Sequence, residues 1–152
     1  MRIKNNKISK KTALIAVILS ALLLMVLIIT KNAMYLKRYN MSDPTGRINY
    51  LASLGWQVSE AQCEVMEIQL PESFGQIMQG YNQLQLESGF DLSKFAGKRC
   101  VQYTYQILNC TEDSEKMYIV LYVKGKKLIG GDVHTASLGG NMYPLTAKST
   151  LE

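Results

Sequence analysis

One apolar segment constrains this chain more than any other feature. It runs from Ala13 to Thr30 (ALIAVILSALLLMVLIIT) and contains no charged residue, no proline and no glycine. An 18-residue helix rises ~27 Å, which is close to the ~30 Å thickness of the hydrocarbon core of a bilayer. Residues 13–30 therefore predict a transmembrane helix that spans the membrane with little tilt.

The basic residues that flank this segment predict its orientation. Five precede it and three follow it closely: Arg2, Lys4, Lys7, Lys10 and Lys11, then Lys31, Lys37 and Arg38. Lysine and arginine are enriched on the cytoplasmic side of membrane helices. Residues 1–12 are therefore expected to form a basic cytoplasmic tail, and the chain after residue 30 is expected to lie outside the cytoplasm.

A cleaved secretory signal is the competing interpretation of the same segment. Its apolar run is longer than the ~7–15 residues of a typical signal peptide, and the sequence KNAMYLKRYN that follows offers no A-x-A-like cleavage site. The first cysteine is Cys63, too distant for a lipoprotein anchor. These features favour an uncleaved signal anchor and a single-pass protein of the cell membrane.

The charge distribution argues against a nucleic-acid partner. The five basic residues of the tail account for the whole formal net charge of +5, so residues 13–152 are neutral overall. Residues 39–152 carry more acidic than basic side chains. Such a domain lacks the basic surface that the phosphate backbone requires.

After a linker at 31–44, the pattern predicts one α+β domain at 45–143 and a flexible tail at 144–152. The predicted elements are, in order, a short helix, a strand, an amphipathic helix and three strands: 45–55, 62–70, 72–88, 98–109, 117–123 and 128–134. Adjacent strands with few helices favour an antiparallel sheet, here of about four strands with two helices packed on one face. Trp56 is expected to fill the core where the first helix meets the first strand.

Local patterns within these elements predict further details. The strand at 117–123 is apolar on both faces, which is typical of a central strand. The stripe Phe74, Ile77, Met78, Tyr81 and Leu84 marks the inner face of the amphipathic helix. The apolar positions of the first strand change parity at Val65–Met66, which suggests a bulge or a strand that is covered on both faces. The pair Gly130–Gly131 predicts a bulge or the close approach of another backbone.

Three stretches of the chain resemble one known family. They are RINYLASLGWQV from Arg47, GYNQLQLESGFDLSKFAGKR from Gly80 and GGDVHTASLGGNMY from Gly130. In this order and spacing they resemble the Firmicutes domain-of-unknown-function family 4830 (DUF4830), over roughly residues 45–143. The resemblance implies a small domain anchored in a Gram-positive cell envelope, and it supplies no catalytic residues. The position x of the family's GGDV-x-[ST] motif, expected to be small or variable, is His134 here, which argues against a family-wide role for this residue.

The search for catalytic chemistry yields one weak pair. Nucleophile-elbow, Walker A, H-E-x-x-H, dinucleotide-binding and C-x-x-C motifs are all absent from the sequence, so no metal and no cofactor is predicted. Asp132 and His134 share one face of a predicted strand and could act as a general base, with Ser137 or Cys100 as a nucleophile that has no visible activating neighbour. The alternative interpretation is an ordinary polar pair at the solvent edge of a strand.

A second candidate site is the polar face of the predicted strand at 98–109. Gln102, Thr104 and Gln106 alternate with apolar residues and are expected to point away from the helix-packed face. This face could bind a ligand, or it could simply be hydrated. An exposed edge strand could also recruit an extended peptide.

The leading hypothesis is a non-catalytic binding or sensing module of the bacterial cell envelope. Its partner would be an envelope protein or a small ligand, and the membrane would hold it in place. The alternative is a small envelope enzyme that uses Asp132 and His134. A purely structural role through assembly of the membrane helix ranks last, because that helix has no G-x-x-x-G motif.

Overall fold

A computed structural model describes residues 10–62, 64–112, 115–137 and 139–150. Most of the predicted basic tail and the thiol of Cys63 lie outside the described residues. The chain divides into two compact units, with the boundary between Arg38 and Tyr39. Each unit is described by itself below.

The first unit is a long helix, α1, at Lys10–Arg38. Its side chains are described from Leu14 to Ile29, and all of them are exposed. Among the residues whose side chains the structure describes, no helix is long and apolar enough to cross a membrane.

The second unit is an α+β domain built on a five-stranded antiparallel sheet, which confirms the predicted fold class. The helices α2 and α3 lie at Pro44–Ser53 and Gln76–Glu87, and the strands β1 to β5 lie at Glu64–Gln69, Arg99–Glu112, Glu115–Lys124, Lys127–Thr135 and Met142–Pro144. The strands follow one another in sheet order as in sequence order. The apolar run of β3 lies at the centre of the sheet as predicted, whereas the three-residue β5 was not predicted.

The two helices cover opposite faces of this sheet, so the predicted packing of both on one face is wrong. On α2, Arg47 Nε donates to the hydroxyl of Tyr105, which pairs across the sheet with Ile119. On α3, the Tyr81 hydroxyl contacts Tyr122, which has the other parity on β3. Because successive strand residues point to opposite faces, these contacts place the two helices on opposite sides.

The face under α2 contains the larger part of the apolar core. Trp56 is buried as predicted, and its Nε1 donates to the carbonyl of Leu145 at 2.9 Å. Leu145, Ala147 and Lys148 are also buried, although the sequence assigns them to a flexible tail. The segment that contains Leu145 is held against the domain by the hydrogen bond from the Trp56 indole and by the burial of the Leu145 side chain.

The inner face of α3 mixes polar and apolar side chains, so the predicted apolar stripe is confirmed only in part. Phe74, just before α3, and Tyr81 pack against the apolar cluster of the sheet. Asn82 and Gln85 are its buried residues, whereas Ile77 is 89% exposed. Gln85 Oε1 accepts a hydrogen bond from Gly131 N at 2.7 Å. A Cβ atom at Gly130 would lie 2.8 Å from Gln85 Oε1, and one at Gly131 would lie 2.5 Å from the carbonyl oxygen of Val120. The expected close approach at Gly130–Gly131 is therefore confirmed, together with a register irregularity between β3 and β4.

Strand β1 is an exposed edge strand. Val65 and Met66 are about 60% exposed, and the pairing of β1 with β2 is regular. The expectation of a bulge or of a strand covered on both faces is therefore wrong. The apolar residues of β1 change parity because this edge strand carries exposed apolar side chains on both of its faces, such as Val65 and Met66.

Candidate functional site

The sheet register brings the two sets of candidate residues onto one face. Thr104 pairs with Val120, and Val120 pairs with Asp132 on the next strand. Gln106 is related to His134 in the same way through Tyr118. Both sets therefore share the face that carries α3, which corrects the expectation that the polar face lies opposite the helix-packed face. We call it the groove face.

Asp132 and His134 are in direct contact on this face, near the end of β4. His134 Nδ1 lies 3.0 Å from Asp132 Oδ1, and the His134 ring stacks against Tyr118 with 6.1 Å between ring centroids. The Asp132 side chain is 2% exposed, whereas that of His134 is 30% exposed. A carboxylate only accepts hydrogen bonds, so Nδ1 donates to Asp132, and in the neutral form of the ring Nε2 is left as an acceptor. The pair thus presents an oriented imidazole edge.

The buried carboxylate of Asp132 also connects α3 to the sheet. The hydroxyl of Tyr81 on α3 donates to Asp132 Oδ2 and lies 3.0 Å from the hydroxyl of Tyr122. Burial first, and then the charge of Asp132, raise the pKa of Tyr81 far above its ordinary value. The same two causes raise the pKa of Tyr122 to about 12. Both phenols therefore keep their protons and remain available as donors around the carboxylate.

Two adjoining grooves open on the groove face beyond α3, each with a volume of about 440 Å³. The inner groove is lined by Gln102, Asp132 and His134 together with Tyr81, Tyr122 and Met142. The outer groove is lined by Thr104 and His134 together with Glu64 and Tyr118. His134 borders both grooves, and Gln106 borders neither of them. Four of the five predicted site residues are therefore brought together, and the fifth is not.

The predicted nucleophiles do not complete a catalytic arrangement. Ser137 borders both grooves, but its hydroxyl donates to Glu115. Cys100 is a free thiol in the apolar cluster beneath α3, where burial raises its pKa. A buried thiol with a raised pKa is a poor nucleophile because the thiolate is the reactive form. In the part of the chain that the structure describes, no three His, Cys, Asp or Glu side chains are grouped to hold a metal ion.

Sequence reasoning missed the aromatic residues of this site. The sequence pattern places Tyr81 in the apolar stripe of its helix and Tyr118 in a strand that is apolar on both faces, so neither residue stands out as part of a site. The parity of Tyr118 and Tyr122, both even on β3, is the signal that places them on the same face as Asp132 once the register is known. The sequence does not give that register, so the signal could not be used.

Comparison with known proteins gives one family. The family model described as "Domain of unknown function (DUF4830)" matches residues 50–133, which is more than half of the chain. The matched segment contains α3, β1 to β3 and most of β4, and it includes Asp132 but ends one residue before His134. No curated protein and no solved structure matches the chain.

Proposed function

We propose that this chain, which belongs to the DUF4830 family, is a membrane-anchored binding module of the bacterial cell envelope. The module lies outside the cytoplasm and holds a polar envelope ligand in the grooves around His134. The ligand is a small molecule or a polar segment of an envelope protein. The activity is recognition or sensing, without a chemical step.

The apolar segment 13–30 and its basic flanks support the membrane anchor. This proposed span extends past both ends of the Leu14–Ile29 interval whose side chains are described. The thirteen exposed large apolar side chains in that interval would be unfavourable in water, and a bilayer would cover them. The excess of basic residues before the span supports the cytoplasmic N-terminus.

The single observation that carries the binding role is the position of His134 between two open grooves. Asp132 fixes one nitrogen of its ring, and Tyr118 stacks against the ring plane. The other nitrogen, an acceptor in the neutral ring and a donor in the protonated ring, lies in a site that also offers the Gln102 amide and the Thr104 hydroxyl. Rigid polar groups beside aromatic rings are typical of sites that recognise a ligand by hydrogen bonding.

A photocrosslinking residue placed at Gln102 tests this proposal, with Gln106 as the matched control position. Both are glutamines on the groove face of β2, but only Gln102 lines a groove. The full-length protein is irradiated in cells, and its adducts are identified by mass spectrometry. We expect a single enriched adduct from position 102 and none from position 106. Equal adducts at both positions, or none at position 102 in a folded and abundant protein, would contradict the proposal.

A second candidate function is hydrolysis with Asp132 and His134 as an oriented base. The 3.0 Å contact between His134 Nδ1 and Asp132 Oδ1 favours it, because a carboxylate in this position holds an imidazole ready to accept a proton at Nε2. The variant His134→Gln keeps a polar side chain but cannot act as a base. If cells that carry it show the phenotype of the intact protein rather than that of a deletion, the hydrolytic role is excluded.

A further inference from the structure

We infer that one end of the sheet rests against anionic lipid headgroups and that this contact holds the groove face away from the bilayer surface. The inference names a second interaction surface of the domain, with an anionic phospholipid surface as its partner. It rests on the proposed membrane anchor.

Exposed basic residues are concentrated at this end of the sheet, which we call the basic end. Strand β2 begins there, β3 ends there, and the turn to β4 follows, so three segments bring their charges together. The basic end consists of five exposed residues: Lys98, Arg99, Lys124, Lys126 and Lys127. Lys94 also lies on this side but is paired with Asp91 at 3.4 Å. The exposed acids nearby are Asp43, Glu72 and Glu67, and Glu67 pairs with Val101 near the start of β2. The five basic residues therefore outnumber these three acids.

The connector that follows α1 is fastened to this same end. Met41 is fully buried, and its N–H donates to the carbonyl of Lys126 at 3.2 Å. Its own carbonyl accepts a hydrogen bond from Arg47 Nη1 at 2.9 Å. The start of the domain, predicted from sequence as part of a linker, is thus fixed beside the basic turn rather than loosely tethered.

The charge at the other end of the sheet has the opposite sign. Glu60 and Glu115 are exposed there, beside the exposed Lys116. Glu64 is also exposed, but its pairing with Thr104 places it midway along the sheet. An anionic leaflet attracts basic residues by ~1 kcal/mol each and repels the acidic end, within a Debye length of ~8–10 Å. Both the connector and the charge therefore favour the same orientation of the domain.

This orientation has a consequence for the grooves. Strand β4 begins at Lys127 in the basic end and reaches His134 seven residues later. At ~3.3 Å per strand residue, His134 lies roughly 23 Å along the strand from the basic turn. A domain that stands on its basic end presents the grooves to the space beyond the membrane, where an envelope ligand can enter them.

Lysine acetylation of the full-length protein in lipid nanodiscs tests the inference. One disc contains phosphatidylcholine alone, and the other contains phosphatidylcholine mixed with phosphatidylglycerol. Mass spectrometry measures the acetylation rates of Lys124, Lys126 and Lys127 relative to Lys116, an exposed lysine at the far end of β3. In the anionic disc we expect the relative rates to fall about fivefold, the ratio that corresponds to ~1 kcal/mol per residue. Concentrated salt should restore them.

Matched charge reversals separate this contact from other causes of protection. The double variant Lys126→Glu/Lys127→Glu should restore the acetylation rate of Lys124 in the anionic disc, whereas Lys116→Glu should leave that rate low. Equal relative rates in the two discs, whether low or high, would overturn the inference. A protein that does not co-purify with either disc would instead overturn the proposed anchor, so the two failures are distinguishable.

Discussion

Asn82 uses both ends of its amide to join α3 to the loop that follows. Its Oδ1 accepts a hydrogen bond from Leu92 N at 2.8 Å, and its Nδ2 donates to Asp91 Oδ1 at 3.0 Å. Leu92 is completely buried, so no solvent could replace the amide as an acceptor for its N–H. A buried polar group without a partner costs more than a hydrogen bond contributes.

We expect Asn82→Ala to lower the free energy of unfolding by roughly 1–3 kcal/mol, because it leaves the Leu92 N–H without an acceptor. Urea denaturation measures the change. The control is Gln83→Ala, since Gln83 neighbours Asn82 on α3 but is exposed, and it should change stability by less than about 0.5 kcal/mol. Similar losses in both variants would show that the amide of Asn82 has no special role.

The stability that the hydrogen bond between Asn82 and Asp91 contributes should depend on pH, because Asp91 accepts this bond with its carboxylate. Hydrogen bonds from Ser93, and then from Asn82, lower the pKa of Asp91 to about 2. A carboxyl whose pKa is lowered by folding adds stability above its unfolded pKa of ~3.9, and that stability is lost as the pH falls towards 2. We expect Asn82→Ala to raise the pKa of Asp91, measured by NMR titration of its carboxyl carbon. An unchanged pKa would contradict the assigned hydrogen bond.

The inner face of α3 shows why residue burial could not be predicted from the apolar stripe alone. Ile77 belongs to the stripe but extends into solvent, while Asn82 and Gln85 are buried because backbone N–H groups of Leu92 and Gly131 need acceptors. Those N–H groups belong to other segments: that of Leu92 to the loop after α3, and that of Gly131 to β4. A helical periodicity therefore identifies a helix correctly without identifying which of its residues face the sheet.

At the level of elements, strand patterns identified the sheet but not which helix covers which face. The alternation in β2 correctly predicted that its polar residues share one face, and the continuous apolar run in β3 correctly predicted a central strand. Side-chain alternation defines two faces for each strand, but it does not say where the connecting helices pack. β5 escaped prediction because three residues are too few to show any alternation.

Gly80 and Gly131 should respond to substitution in opposite ways. Glycine weakens the helix at Gly80, whereas the sheet requires glycine at Gly131. Gly80 lies inside α3, and a Cβ atom there would have no neighbour within 4 Å. We expect Gly80→Ala to stabilise the domain by ~0.5–1 kcal/mol, since alanine loses less backbone entropy on folding. At Gly131 the 2.5 Å approach to the carbonyl of Val120 forces the backbone apart, so Gly131→Ala should destabilise by ~1–3 kcal/mol.

Thermal and urea unfolding of the two glycine variants check these opposite signs. Both substitutions add the same single methyl group, so a general effect of added volume would shift both variants in one direction. A stabilising Gly131→Ala would mean that the strands separate easily at this point. A destabilising Gly80→Ala would mean that α3 needs the flexibility of glycine.

For the whole molecule, the candidate site depends on contacts between distant parts of the chain. The sequence identified Asp132 with His134 and Gln102 with Thr104 as two unrelated candidates, and it placed the second set on the wrong side of the sheet. The strand order and register that unite them are set by long-range pairing, which local patterns do not encode. Only the neighbourhood within one strand, such as the shared face of Asp132 and His134, could be predicted.

The domain is closed by its C-terminal segment, which packs against residues near its beginning. Leu145 is completely buried and accepts the hydrogen bond of Trp56, whose ring also lies 5.5 Å from Lys148 Nζ. Removing Leu145 exposes apolar surface worth roughly 1.5–3 kcal/mol and leaves the indole N–H without its acceptor, at a further cost of ~1–3 kcal/mol. This sum is a large part of the ~5–15 kcal/mol by which domains are typically stable.

We therefore expect a chain that ends at Tyr143 to unfold at a much lower urea concentration than the full chain. Trp56 is the single tryptophan, so a red shift of its emission in the truncated chain before denaturation would report the opened core directly. A chain that ends at Lys148 is the matched control, because it keeps the buried Leu145, Ala147 and Lys148 and should behave like the full chain. If the chain ending at Tyr143 kept the emission and urea midpoint of this control, the segment would be a dispensable tail, and the core under α2 would close without it.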